Sequence, residues 1–293
     1  MKIFLAGGTG FVGEQVRREL LARGHGVRLL VHRRKEGMEA EVEQAEGDVT
    51  RLDSFAAAVE GCDATINLVG IIREFPGRGV TFEKLHVEAT RNVLEAARRA
   101  GIGRHLQMSA LGTRPGATSA YHRTKYRAEE LVRASGLDWT IFRPSIVFGP
   151  KDDFINKLAG YIRSYPAVPV IGDGQYRLQP ISVADVARCY ALALEMPETR
   201  GQTYELCGPD RVAYNDLLDT IGRILGKGHV PKIPNPLGVM KMVVPFLQGF
   251  SFFPITMDQI LMLVEENICA GGWPQVFGFE PERFEEGIGK YLR

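Results

Sequence analysis

Seven residues near the N-terminus, Gly7-Gly8-Thr9-Gly10-Phe11-Val12-Gly13, restrict the fold more than any other part of the chain. They sit between a short apolar run at 3–6 and a helical stripe formed by Val12, Val16 and Leu20, which Gly24 closes. Gly7, Gly10 and Gly13 stand three apart. Without Cβ atoms, such a loop lets backbone N–H groups approach an anion at the positive end of the following helix. The alternative is an ordinary turn with tight helix–strand packing. Glycine is abundant throughout, 33 of 293 residues, but it follows no three-residue period and 45% of the chain is hydrophobic. Collagen-like and disordered chains are thereby excluded.

The strand–turn–helix pattern repeats. Apolar runs at 3–6, 27–31, 65–69, 105–108 and 140–142, with a weaker one at 42–45, have the length of strands buried on both faces. Between them lie glycine-bearing turns and amphipathic segments, including one opened by Asp53 as an N-cap and one at 91–100 closed by Gly101. This alternation predicts an α/β fold, a doubly wound parallel Rossmann sheet with a smaller, mainly helical C-terminal substrate lobe. After Pro150 the rhythm loosens, although 182–195 still reads as a helix and 203–206 as a strand. The expected organisation is a nucleotide-binding domain at 1–150, rejoined by 176–208, with 151–175 and 209–293 forming the substrate lobe.

The formal charge is +1, from 36 basic and 35 acidic residues, which argues against a nucleic-acid partner. The first half is mildly basic and the second mildly acidic, as suits a small anionic ligand in the first. Cys62, Cys189, Cys207 and Cys269 lie far apart, and no His pair has metal-binding spacing. These features predict no metal and a reduced, cytoplasmic protein without disulfides. The apolar run at 3–6 is too short for a secretory signal, and 236–257 is broken by Lys241, Pro245 and Pro254, so no spanning helix is expected.

Ribose specificity belongs at the end of the second strand, about 20 residues beyond the loop. An acidic residue there would bind a 2′-hydroxyl, but this chain has His32-Arg33-Arg34-Lys35. A guanidinium forks onto a 2′-phosphate, so NADP(H) is the expected cofactor, with NAD(H) as the alternative. A solvated basic turn is the plainer explanation. Tyr121 and Lys125 share a helical face one turn apart. There an ammonium favours the phenolate of a group whose ordinary pKa is about 10. Ser109, twelve residues before Tyr121, ends a strand where its hydroxyl would polarise a carbonyl. A surface Tyr–Lys pair is the competing explanation, since YxxxK alone is common.

GGTGFVG, the Ser109/Tyr121/Lys125 set and the segment 143–150 together resemble the short-chain dehydrogenase/reductase superfamily, in its extended and atypical branches. The segment 179–187 resembles the place where such chains re-enter the sheet. Met108 to Gly112, Gly172-Asp173-Gly174 and 256–267 resemble bacterial relatives of the NADPH-binding accessory subunit of respiratory complex I. The resemblance implies that Gly7, Thr9, Gly10, Phe11, Val12 and Gly13 hold the pyrophosphate, and that Asp48 and Val49 meet the adenine. Leu68, Val69 and Gly70 would line the adenosine ribose, Lys125 would bind the nicotinamide ribose, and Pro144, Ile146 and Val147 would flank the nicotinamide. One position departs from the pattern: His86 stands where extended members usually carry Asn, which puts the water relay assigned to that Asn in doubt. A helix residue without a catalytic role is the plainer reading of His86, with a proton relay as the alternative.

Val239, Met240, Met242, Val243, Val244, Phe246, Leu247, Phe250, Phe252 and Phe253 concentrate apolar, flexible side chains in the tail. They read as the core of a lid helix, as a pocket for a quinone- or lipid-like substrate, or as a patch that docks on a membrane protein or bilayer. Three functions follow as expectations. One is an NADP(H)-dependent oxidoreductase acting on an apolar small molecule. Another is a non-catalytic NADPH-binding module, peripheral to a membrane complex at its inner face. The third is a sugar-nucleotide epimerase. Oligomeric state is left open.

Overall fold

The computed structural model describes residues 1–248 and 255–292. In chain order it contains β1 (Lys2–Ala6), α1 (Phe11–Ala22), β2 (Gly26–Val31), β3 (Val42–Glu46), β4 (Ala64–Asn67), α2 (Ala89–Arg99), β5 (Arg104–Met108), α3 (Ala120–Arg133) and β6 (Asp138–Pro144). There follow β7 (Val147–Phe148), α4 (Phe154–Ser164), β8 (Val168–Ile171), β9 (Arg177–Leu178), β10 (Ile181–Ser182), α5 (Val183–Glu195) and β11 (Gln202–Leu206). The chain ends with β12 (Val212–Ala213), α6 (Tyr214–Ile224), β13 (Lys232–Asn235), α7 (Leu237–Leu247), α8 (Met257–Val264), α9 (Trp273–Phe277) and α10 (Phe284–Gly289). Two compact units result, Met1–Pro144 with Ala184–Glu205, and Ser145–Val183 with Leu206–Arg293.

The first unit holds a seven-stranded sheet of order β11-β6-β5-β4-β1-β2-β3. The pairings β1–β2, β2–β3, β1–β4, β4–β5 and β5–β6 are all parallel. Ile3, Phe4, Leu5 and Ala6 are all fully buried, as a central strand covered on both faces requires. On one face Phe4 and Ala6 pack with Val49, Phe55, Ala89, Val93 and Ala97. The doubly wound α/β fold expected from the alternation is the one observed. Strand order reverses between β1 and β4, the switch point beside which such sheets bind ligands.

Two local expectations need correction. Asp53 caps no helix: Leu52–Ser54 and Ala56–Val59 are short 3-10 turns, with Arg51 at the first N-cap position. The Ser54 hydroxyl is engaged with the Asp48 N–H and the Arg51 carbonyl, which tightens the segment. The helix expected at 91–100 also starts earlier, and it is preceded by a π-helical stretch, Glu83–Glu88.

Among the described residues the second unit has three two-stranded pairs, β7–β10 and β8–β13 parallel and β9–β12 antiparallel. Its core gathers Ile155, Leu158, Leu217, Ile221, Phe284 and Ile288. Here the reading of the cysteines fails, because Cys207 and Cys269 form a disulfide with their Cα atoms 6.0 Å apart. They stand 62 residues apart in sequence, so no spacing motif announces the pair. The Gln179 side chain braces it, accepting from the Cys269 N–H and donating to the Gly208 carbonyl, while Trp273 Nε1 donates to the Cys207 carbonyl. The inference to a reduced compartment falls with the disulfide-free expectation.

The apolar tail also differs from the lid-core expectation. In α7 only Val244 is buried. Met242 is 71% and Phe246 79% exposed, so this stretch is surface. Phe250, Phe252 and Phe253 lie outside the described residues. Among the described residues no helix is long and apolar enough to cross a membrane.

Candidate functional site

The glycine loop lies at the switch point. Gly7 has φ +82°, and a Cβ there would lie 2.9 Å from the Val69 nitrogen, so the turns after β1 and β4 touch backbone to backbone. A Cβ on Gly13 would overlap the Gly7 carbonyl oxygen. Gly10 N–H donates to Gly7 O at 3.1 Å and Gly10 caps α1. Thr9 and Gly10 are exposed, while Phe11 and Val12 are half-buried in the first turn of α1. Helix first-turn N–H groups lack intrahelical acceptors and thus present donors to an anion. Arg17 was not among the expected site residues; it is buried on the inner stripe of α1 and donates to Gly8 O at 2.9 Å. A charge on an otherwise apolar helical stripe was the available signal.

At the end of β2, His32, Arg33 and Arg34 are exposed. Arg34 pairs with Glu46 at 3.4 Å, whereas Arg33 pairs with no carboxylate among the described residues. Asp48 accepts from the Thr50 N–H and hydroxyl, at 2.9 and 2.8 Å. Burial raises its pKa, but these bonds, with His32 and Arg51 charge, hold it below the usual carboxylate value. Val49 and Leu68 are buried, and Val69 is half-buried.

α3 begins with Ser119 as N-cap, its side chain accepting from the His122 N–H. One turn in, the half-buried Tyr121 ring lies 5.3 Å, edge to face, from the His86 ring and 5.8 Å from Phe82. Buried Lys125 donates through Nζ to Met108 O at 3.2 Å and Val69 O at 3.5 Å. Gly70 makes room for this ammonium, since a Cβ there would stand 2.9 Å from Nζ. Burial pulls Lys125 down to about 8 against the attraction of the Glu129 carboxylate. Burial pushes the Tyr121 phenol up to about 12. That corrects the expectation of a lysine-lowered phenol: the ammonium is engaged with carbonyls, and desolvation governs the phenol.

Ser109 is buried just beyond β5. Its N–H donates to Phe142 O at 2.7 Å and its hydroxyl to Thr113 Oγ1 at 3.3 Å. The Leu111 N–H meets Pro144 O at 2.9 Å. Ile146 and Val147 fall in the second unit, where the Ile146 N–H donates to Asn267 Oδ1 and Val147 pairs with Ile181.

His86 is 1% exposed and sits inside the π-helical stretch. Its Nδ1 lies 2.8 Å from Thr124 Oγ1, and its Nε2 lies 3.3 Å from the Ile71 nitrogen. The Thr124 hydroxyl also bonds the carbonyls of Ala120 and Tyr121, and His86 Nε2 lies 3.2 Å from the Ile71 oxygen as well, so both ring nitrogens are engaged. Burial, with the nearby Lys125 charge, holds the imidazole down to about 2, and hence neutral. Further along α3, fully buried Glu129 is gripped by Arg143 through two bonds of 2.8 and 2.6 Å and by Arg133 at 2.7 Å.

Glycine loop, switch point and the face that carries half-buried Tyr121 and buried Lys125 define a nucleotide-binding α/β protein of the short-chain dehydrogenase/reductase kind. The chain belongs to the NAD(P)H-binding family, which matches residues 7–197. It is 32% identical over 240 residues to the mouse mitochondrial NADH dehydrogenase [ubiquinone] 1 alpha subcomplex subunit 9, covering 79% of this chain and 62% of that one. The match thus spans less than two thirds of the mouse protein. It is 30% identical over 238 residues to a ceramide reductase of Caulobacter vibrioides, covering 80% of this chain and 74% of the relative. Among solved structures, UDP-glucose 4-epimerase of Thermotoga maritima with UDP-glucose superposes with a TM-score of 0.80 at 20% identity, covering 100% of this chain and 97% of the other. That likeness shows the fold.

Proposed function

We propose that this protein is an NADP(H)-dependent oxidoreductase that reduces the carbonyl of an apolar, quinone- or lipid-like small molecule. The observation that carries the reading is Lys125 Nζ, buried, bonded to Met108 O and Val69 O, and one helical turn from Tyr121. Gly7 and Gly13 permit the close backbone turn after which the first-turn N–H groups of α1 would meet a pyrophosphate, and Gly70 admits the Lys125 ammonium. The bound nicotinamide supplies the hydride. The chain's own residues would do the rest. The first turn of α1 would hold the pyrophosphate, Arg33 the 2′-phosphate, and Lys125 the nicotinamide ribose hydroxyls. Tyr121, kept neutral by burial, would donate its proton to the carbonyl oxygen as charge develops there. A neutral phenol suits reduction better than oxidation. Ser109 would polarise the carbonyl only after its bond to Thr113 is exchanged. A relative named as a ceramide reductase supports the substrate class.

NADPH absorbance followed across quinones, ketones and long-chain carbonyls tests the reading, with turnover expected and then lost in Tyr121→Phe. A second reading has its own observation: similarity to a complex I subunit, together with the exposed apolar face of α7, favours an NADPH-binding accessory module peripheral to a membrane complex. Tight NADPH binding with no turnover on any class would select it.

A further inference from the structure

The face of β4 and β5 that packs on α2 carries polar side chains inside an apolar layer. Thr65, Asn67, Thr90, His105 and Gln107 are each 0–1% exposed. Thr65 lies opposite His105, and Asn67 opposite Gln107. Valine or isoleucine would fill these places without the penalty of burying polar atoms. Their hydrogen bonds form one chain, and its donor–acceptor sense has a single solution. Met108 O can only accept, so the amide nitrogen of Gln107 faces it, at 3.1 Å. Gln107 Oε1 therefore receives Asn67 Nδ2 at 3.1 Å and His105 Nε2 at 3.2 Å. With its proton on Nε2, His105 accepts at Nδ1 from the Thr65 hydroxyl, at 2.8 Å. Asn67 Oδ1 faces the Val69 N–H at 3.1 Å, and Asn67 Nδ2 also reaches Thr90 Oγ1.

One end of this chain bonds the Met108 carbonyl that Lys125 also bonds, and the other fixes the Val69 N–H, in the peptide just before the Val69 carbonyl that Lys125 bonds. We infer that Gln107 and Asn67 are positioning residues for the Lys125 ammonium, holding the Met108 and Val69 carbonyls in place from inside the sheet. Gln107 and Lys125 share one acceptor, so each senses the other. The inference deepens the proposed function but is tested on the amine itself, so it stands or falls independently of turnover.

The ionisable groups acting with Lys125 are Glu129 from its own helix and His86 from the π-helical stretch, with Tyr121 one turn away on α3; Val69, Gly70 and Met108 add none. The experiment is a pH titration of the 15N-labelled full chain, reading the Lys125 Nζ and Gln107 Nε2 resonances, with NADPH affinity measured alongside. In the unaltered protein the Gln107 amide should shift with the Lys125 midpoint. Gln107→Met, which removes the bond that holds the Met108 carbonyl against the ammonium, should lower that midpoint by about half a pH unit or more and weaken NADPH at least about threefold. Gln107→Glu, which places a carboxylate there, should raise the midpoint. Opposite shifts from two variants of similar length would not come from packing alone. A Gln107 amide resonance that stays flat through the Lys125 titration overturns the inference without any variant. So do two variants that leave the midpoint unmoved or move it the same way.

Discussion

His86 Nδ1 lies 2.8 Å from the hydroxyl of Thr124, on the turn of α3 that also carries Tyr121 and Lys125. Through this bond the π-helical stretch before α2 is tied to the candidate catalytic helix, and the ring's other nitrogen meets the Ile71 N–H just beyond Gly70. The imidazole is thus an uncharged brace between two segments of the site.

An uncharged brace has a pH signature. The folded-state value of His86 is about 2 against an ordinary 6.5, so below 6.5 the unfolded chain takes up a proton that the folded chain refuses. Stability from this group is full above pH 6.5 and declines as pH falls towards 2. His86→Asn should flatten the decline by about 1 kcal/mol per pH unit between 6 and 4. Urea melts at several pH values measure it. His105, held near 4 by burial, acts in the same sense and remains in both proteins. Equal slopes for the two proteins would show that His86 titrates in the folded state.

Tyr121→Phe should lower turnover by about 10²–10⁴-fold while leaving NADPH affinity within about twofold. With the phenol near 12 and the ammonium near 8, the Tyr121 proton is available throughout the neutral range, whereas Lys125 loses its charge as pH rises through 8. NADPH binding should therefore weaken above pH 8, as calorimetry or fluorescence would read. A profile that strengthens with alkali contradicts the assignment of Lys125.

Arg33 and Arg34 are neighbours with different employment. Arg34 is occupied by Glu46 and Arg33 has no carboxylate partner among the described residues. Arg33→Ala should weaken NADPH about tenfold with little effect on NADH, and Arg34→Ala should do distinctly less. Parallel titrations with both nucleotides decide. An equal loss for NADPH and NADH would remove the 2′-phosphate assignment.

The Cys207–Cys269 disulfide closes a long stretch of the second unit. Reducing it should cost about 2–4 kcal/mol and lower the melting temperature. Cys207→Ser should melt at the same temperature with or without reductant. If the unaltered protein also ignores reductant, the cystine contributes nothing to stability.

Much of this was legible in the sequence because it was local. The short apolar runs marked the strands, and Gly7, Gly10 and Gly13 marked the turn between β1 and α1. Tyr121 and Lys125 announced themselves through helical spacing. What escaped depends on cross-strand register and on long separations. Asn67 and Gln107 lie unmarked inside the runs at 65–69 and 105–108, and only the alignment of β4 with β5 makes them partners. Nothing local distinguishes Cys207 and Cys269 from Cys62 and Cys189, both free and buried. The π-helical stretch is equally silent, since one extra residue in a turn leaves little trace in a pattern of apolar positions.

Glu129 carries one more implication. Its carboxylate is held by Arg143 of β6 and by Arg133 at the end of its own helix. Anchored there, and at its other end by the His86–Thr124 bond, α3 is tethered against rolling about its axis. Tyr121 and Lys125 therefore form a template cast before any ligand arrives. A ligand bound there would have to match that shape, and it would not have to supply the free energy of ordering this helix.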